Sequence, residues 1–242
     1  MTKKAIIIGA SSGIGLEVAR LLLLKGWKVG VAARRTESLE QLRNEYPNQV
    51  VTMQIDVTAP SAGGQLLQLA ERVGGMHLYF HAAGVGWQNP DLDWDKEMST
   101  VYTNVEGFTR MVGEAFHYMA AHDGGHIAVI SSIAGTKGLG PAASYSATKA
   151  FQNTYIEALE QLAATRRLPI TFTDIRPGFV DTPMLEGSDF PMKMNVQYVA
   201  RKIVRAIERR RHVSVIDWRY RLLVFFWRLV PRFLWRRLRL IK

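Results

Sequence analysis

Tyr145 and Lys149 stand four residues apart in Tyr-Ser-Ala-Thr-Lys. If that stretch is helical, both side chains lie on one face. An ammonium beside a phenol favours the phenolate and lowers its pKa from a reference of about 10. Such a tyrosine can act as general acid or base near neutral pH. Ser131-Ser132 precede the pair, and Gly135, Gly138 and Gly140 form a flexible link between them. Near the N-terminus an apolar run, 5–8, is followed by Gly9-Ala10-Ser11-Ser12-Gly13-Ile14-Gly15. A chain that must turn sharply out of a strand, approach a pyrophosphate and open a helix toward it needs small residues at such points. Gly9, Ser11, Ser12, Gly13, Ile14 and Gly15 are therefore candidate cofactor contacts. After the second apolar run come Arg34-Arg35, with no carboxylate there to take a ribose 2′-hydroxyl. Two guanidiniums suit a 2′-phosphate, which points to NADP(H) preferred over NAD(H). Asp56 and Val57, after the third run, are placed to meet the adenine edge.

The elements that would position these groups alternate between two periods. Short β-like runs at 5–8, 29–32, 50–55, 78–81, 127–131, 170–175 and 213–216 are separated by helical stretches. These are 13–25, 36–45 capped by Thr36, 65–73, a long helix over 94–121, 142–164 and 199–209. Alternation at this spacing predicts βαβ units: an α/β, Rossmann-like, doubly wound parallel sheet of about seven strands with helices on both faces. Ser131-Ser132 then fall at the C-terminal end of the fifth strand, where open α/β sheets bind ligands.

Composition sets the outer bounds. The 242 residues are 48% hydrophobic and 21% charged, which excludes a disordered chain. Cysteine is absent, so disulfides and thiolate metal sites are excluded and a reducing cytoplasm suits the chain. The six histidines show no metal-ligand spacing, and no metal is expected. His81 reads as a packed strand residue. Asp91, Asp93 and Asp95 read as a solvated loop with a carboxylate at a helix N-terminus. The longest uninterrupted apolar run, 222–227, is far short of the roughly 20 residues a membrane span needs. The net charge of +10 is uneven: residues 1–200 sum to −2 and residues 201–242 to +12. That distribution argues against a nucleic-acid-binding face on the body.

Taken together these residues resemble the short-chain dehydrogenase/reductase family in its single-domain form, over about residues 3 to 215. The likeness rests on Gly9/Gly13/Gly15, Asp56, Ala83-Gly84 after the fourth strand, Asn104 in the long helix, Ser132, Tyr145/Lys149, and Pro177-Gly178 followed by Thr182. The resemblance implies that Tyr145 exchanges a proton with the substrate oxygen while hydride moves between substrate carbon and nicotinamide. It implies that Lys149 lowers the Tyr145 pKa and holds the nicotinamide ribose. Ser132 would orient the substrate oxygen, and Asn104 would hold a water relaying protons from Lys149. Ala83, Gly84, Pro177, Gly178 and Thr182 would contact the cofactor, the last three near its carboxamide. A homo-dimer or homo-tetramer is also implied. Two departures stand out: Ile8 where the family usually has Thr, and His81-Ala82 where it usually has two Asn. Both polar partners are lost together, so the loop is expected to keep its shape.

Two segments bear on substrate and location. Met184, Leu185, Phe190, Met192 and Met194, with Trp87 opposite, suggest an adaptable greasy lid and an apolar or lipid-like carbonyl or alcohol substrate. Residues 218–242 form a basic tail, set apart from an oxidoreductase domain at 1–217. The tail has eight basic residues, no acidic ones and three of the six tryptophans. On one continuous helix Arg221, Arg228, Arg232, Arg236 and Arg239 fall within an arc of roughly 80°. Leu223, Trp227, Val230, Leu234 and Ile241 gather opposite, and Pro231 would kink or restart the helix. That pattern suits a helix lying in a membrane interface, hence a cytoplasmic enzyme at the inner membrane surface. Two alternatives remain open: a 3-oxoacyl-carrier-protein-type reductase whose basic tail meets an acidic partner, and a non-catalytic dinucleotide-binding scaffold.

Overall fold

A computed structural model describes residues 2–187 and 189–238. The expectations at Arg239 and Ile241 lie outside the described residues. Strands β1 (Lys4–Ile8), β2 (Lys28–Ala33), β3 (Val50–Gln54), β4 (Leu78–His81), β5 (Gly125–Ile130), β6 (Ile170–Pro177) and β7 (Val213–Ile216) form one parallel sheet in the order β3-β2-β1-β4-β5-β6-β7. The order reverses between β1 and β4, and the crevice at that reversal is where such sheets take ligands.

Both faces of the sheet are covered, so its strands are apolar on both sides. Ala5 and Ile7 point into one core, beneath α1 (Gly13–Leu24), α2 (Glu37–Glu45) and α7 (Val196–Glu208). Ile6 and Ile8 point into the other, beneath α3 (Ala62–Val73), α5 (Phe108–Ala121) and α6 (Ala143–Thr165). Ile8 is thus a core residue, and the ladder survives its loss of a hydroxyl because the Ala82 N–H donates to the Ile8 carbonyl at 2.8 Å. His81 is buried as expected. It packs edge-on to Phe108 with centroids 5.1 Å apart, and its Nδ1 meets the Tyr79 hydroxyl at 2.7 Å. Burial, then the Lys149 charge, push its pKa down to about 3, so it is a neutral imidazole.

Two local expectations change, and the expected break at Pro231 is found. Thr36 occupies the position before α2 but its side chain makes no capping bond. The long helix is not uniform. It runs as α4 (Trp94–Val101), a π-helical turn over Tyr102–Gly107, and then α5. Asp93 does cap α4, accepting from the Lys96 N–H at 3.1 Å. The tail forms α8 (Trp218–Leu229) and α9 (Arg232–Trp235), separated at Val230-Pro231 where the backbone is extended.

α8 also presents faces other than those expected. Tyr220 and Val224 are buried and Trp227 is half-buried against the body, whereas Leu223 and Leu234 are exposed. The exposed apolar stripe is Trp218, Leu222, Phe225 and Leu229, at spacings of four, three and four, with Phe226 beside it. α8 and α9 are tied to loops of the body. The Trp235 Nε1–H donates to the Gly138 carbonyl at 2.8 Å and the Lys137 ammonium to the Val230 carbonyl at 2.8 Å. No helix among the described residues is long and apolar enough to cross a membrane.

Candidate active site

The glycine loop leaves β1 at Gly9, whose φ of +86° lies in the left-handed region that favours glycine. The close approaches are steric as well. A Cβ at Gly9 would sit 2.5 Å from the Ala83 nitrogen, and one at Gly15 would sit 2.2 Å from the Gly9 carbonyl oxygen. The loop is thus wound on itself and pressed on the β4 exit, where Ala83-Gly84 begin. Ser12 stands at the N-cap of α1 in extended conformation without a side-chain cap bond. Ser11, Ser12 and Ile14 are partly buried along this loop. Thr182 closes the same crevice from the opposite side: its Cγ2 lies 3.1 Å from a Cβ built at Gly13. A cradle of backbone and small residues at a helix N-terminus fits the pyrophosphate of a dinucleotide.

The adenosine end is more mixed. Arg34 and Arg35 are exposed just past β2, and the Arg34 carbonyl accepts from the Gln54 side chain at 2.9 Å. Arg34, Thr58 and Tyr102 line a cleft of about 480 Å³. Burial raises the Asp56 pKa, but the Thr58 N–H and hydroxyl and the Arg34 charge bring it below the usual value, so it is a carboxylate. Val57 faces inward, where its Cγ2 would lie 2.8 Å from a Cβ on Gly107, and its carbonyl accepts from Arg110 at 3.0 Å. Its side chain belongs to the core beneath α3, α5 and α6.

Ser132 and α6 bring the reactive groups together. β5 ends at Ile130, and Ser131 turns back to the sheet, donating to the Asp174 carboxylate. Ser132 turns the other way. Its Oγ accepts from the Ala134 N–H at 3.1 Å and lies beside the Tyr145 hydroxyl. Burial, the larger effect, raises the Tyr145 pKa above its usual value, against the lowering by the neighbouring Ser132 hydroxyl, so the expected depression is not found. Lys149 does not lower the phenol pKa as expected. The ammonium lies 5.7 Å from the Tyr145 ring centroid and instead donates to the Ile130 carbonyl at 3.0 Å and the Gln152 Oε1 at 2.9 Å. Burial pushes Lys149 down to about 8, against the raising charge of Asp174. Gly86 completes the wall: a Cβ there would meet the Tyr145 ring at 2.3 Å, so only glycine lets the loop after β4 lie on the phenol.

Asn104 sits fully buried in the π-helical turn. Its side chain accepts from the Val85 N–H at 3.0 Å and donates to the Val85 carbonyl at 2.7 Å and the Thr148 hydroxyl at 3.2 Å. It therefore stitches the loop after β4 to α6. Pro177 ends β6 and the Gly178 N–H donates to the Ile216 carbonyl at 3.0 Å. Gly178 is overlain by the Tyr220 ring of α8.

A family model described as short chain dehydrogenase matches residues 3–191. The chain belongs to the short-chain dehydrogenase family. As a short-chain dehydrogenase it is an oxidoreductase of carbonyl and alcohol groups that binds a nicotinamide dinucleotide. Relatives agree in kind. An uncharacterised oxidoreductase of Myxococcus xanthus is 34% identical over 196 residues, 78% of this chain and 77% of its own. One of Staphylococcus epidermidis is 29% identical over 218 residues, 88% of this chain and 94% of its own. The fold is shared with a short chain dehydrogenase of Burkholderia cenocepacia in complex with NADP, at a TM-score of 0.85 and 24% identity, covering 100% of this chain and 98% of the other. A variant actinorhodin polyketide ketoreductase with NADPH superposes at a TM-score of 0.79 and 25% identity, covering 89% of this dehydrogenase and 95% of the ketoreductase.

Two residues of the dehydrogenase site escape the sequence reading. Asp174 lies inside an apolar strand run, and only the structure shows its carboxylate held by Ser131 and by Arg176 Nε at 2.7 Å. Gln152 lies three residues after Lys149, a spacing that is itself a same-face signal. The expected lid is also only partly a lid. Met184 and Met192 are exposed, but Met194 is buried and pairs with Val180, and Phe190 stacks on Phe179 at 4.1 Å.

Proposed function

We propose that the protein is an NADP(H)-dependent enzyme that interconverts an apolar or lipid-like ketone and its secondary alcohol. Supporting this is the convergence of Ser132, Tyr145 and Lys149 beside the glycine cradle. When bound, the dinucleotide supplies or accepts the hydride. In the reductive direction the Tyr145 hydroxyl gives its proton to the substrate oxygen, and Ser132 holds that oxygen in place. The Lys149 ammonium then favours the phenolate left behind. Arg34 and Arg35 would hold the 2′-phosphate of NADP(H) with charge-assisted bonds. Phe179, Phe190, Met184 and Met192 offer the apolar surface for the substrate.

The test is a panel of apolar ketones and 3-oxoacyl thioesters with NADPH or NADH. Oxidation of NADPH with the apolar ketones is expected. The likeness to a polyketide ketoreductase favours a second reading, and turnover confined to the thioesters would select it. Tight NADPH binding without turnover on any compound would leave a dinucleotide-binding scaffold.

The tail carries a proposal about place. Trp218, Leu222, Phe225 and Leu229 form an exposed stripe, and Arg221 and Arg228 project from the same helix, whereas Arg219 is paired with Asp217 at its N-cap. An apolar stripe flanked by arginines suits an anionic bilayer surface, each arginine adding about 1 kcal/mol. Truncation after Asp217 would remove Tyr220, which packs on Gly178, so surface substitutions are the cleaner test. The protein is expected to co-float with anionic but not neutral vesicles. Phe225→Ser with Leu229→Ser should cut that binding at least tenfold. Unchanged flotation of the double variant would refute membrane docking by this stripe.

A further inference from the structure

Gln152 is fully buried on α6, one helical turn beyond Lys149. Its side-chain amide makes two bonds at once. The Oε1 accepts from the Lys149 ammonium at 2.9 Å, and the Nε2–H donates to the Asn104 backbone carbonyl at 2.9 Å. The carbonyl belongs to the π-helical turn over Tyr102–Gly107. We propose that Gln152 is a positioning residue for the reaction: its amide bridges Lys149 directly to the Asn104 carbonyl and fixes where the ammonium stands. This rests on the proposed role of Lys149. It differs from the expectation that a water links Lys149 with Asn104, because the amide itself spans the two groups.

The chemistry follows from what an amide can and cannot do. A primary amide offers an acceptor oxygen at one end and N–H donors at the other in a fixed planar geometry. It holds an ammonium well but, unlike water, does not turn over to pass a proton along. The bridge therefore sets the position and charge of Lys149. With Ile130 accepting a second N–H, a third is left to face the cofactor and Tyr145. An acceptor bonded to the ammonium favours its charged form, which opposes the lowering by burial. The other ionisable groups facing Lys149 are Tyr145 on its own helix, Asp174 on β6, which raises its pKa, and neutral His81 on β4. Removal of the Gln152 acceptor leaves these as they are, so the change in Lys149 reads the bridge alone. Loss of ammonium charge disfavours the Tyr145 phenolate, which moves the phenol pKa upward.

The direct test is an NMR titration of the Lys149 side chain in the whole protein labelled at lysine, with the signal assigned by Lys149→Arg. Gln152→Met keeps the size of the side chain and removes both bonds. Gln152→Glu keeps an acceptor on the ammonium, adds charge and loses the bond to Asn104. The expected order of the Lys149 pKa is Gln152→Glu above wild type above Gln152→Met, with the Met variant lower by about one unit, a tenfold change. In alcohol oxidation, the rising limb of kcat against pH should move up in Gln152→Met while the cofactor KM changes less than kcat. Unchanged Lys149 titration in Gln152→Met overturns the proposal. So does a fall in kcat with the pH limb in place, since that marks mere loss of packing. The titration needs no substrate, so a wild-type protein inactive on every carbonyl would sink the proposed reaction and leave this test standing.

Discussion

Tyr145→Phe is expected to lower kcat on the order of a thousandfold, within the range that general acid–base catalysis contributes. Phe keeps the ring that lies on Gly86 and removes only the hydroxyl beside Ser132. The fold and the glycine cradle are therefore untouched, and the affinity for NADPH should stay within about twofold of wild type, less than 0.5 kcal/mol. The Lys149 bonds to Ile130 and Gln152 do not involve Tyr145, so that side chain keeps its anchors. Steady-state kinetics and a cofactor titration on the same preparation check both halves. A variant that turns over at the wild-type rate would remove Tyr145 from the chemistry.

Replacement of Arg34 and Arg35 together by alanine is expected to weaken NADPH binding about a hundredfold and leave NADH binding within a few-fold. Each charge-assisted bond to a 2′-phosphate contributes about 1.5–3 kcal/mol, and tenfold in affinity is 1.4 kcal/mol. Exposure discounts the sum, because both guanidiniums stand past the end of β2 in contact with water. The backbone there is secured independently by the Gln54 bond to the Arg34 carbonyl, which alanine retains. Isothermal titration with both cofactors reads the ratio. Equal losses for the two cofactors would mean that the arginines support the loop rather than recognise the phosphate.

Much of this site can be read from the chain because its determinants are local. Gly9, Gly13 and Gly15 are demanded by a turn and two close backbone approaches within seven residues. Tyr145 and Lys149 share a face by helical period alone. The seven strands alternate with helices at intervals that imply a doubly wound parallel sheet, whereas the order β3-β2-β1-β4-β5-β6-β7 is set by which strands pair in space. What escapes depends on partners far away in sequence. Asp174 reads as an interruption in a strand until β5 brings Ser131 beside it. The π-helical turn at 102–107 leaves no trace in hydrophobic period, since one widened turn shifts the apolar face by less than the pattern resolves. Met194 looks like its exposed neighbours Met184 and Met192, yet its pairing with Val180 buries it. In α8 two apolar faces compete, and a helical wheel cannot tell which will dock. Tyr220 settles it by covering Gly178 and donating to the Met192 carbonyl at 3.1 Å.

The most direct test of the proposed reaction is isotopic. NADPH carrying deuterium at the transferring nicotinamide carbon is mixed with the protein and an apolar ketone, and the alcohol is examined by mass spectrometry. Wild type should place one deuterium on the carbinol carbon, in step with the loss of reduced cofactor, and Tyr145→Phe should do so only in trace. NADPH bound tightly by the wild type with no deuterium in any alcohol, across the ketones and the 3-oxoacyl thioesters alike, would contradict it.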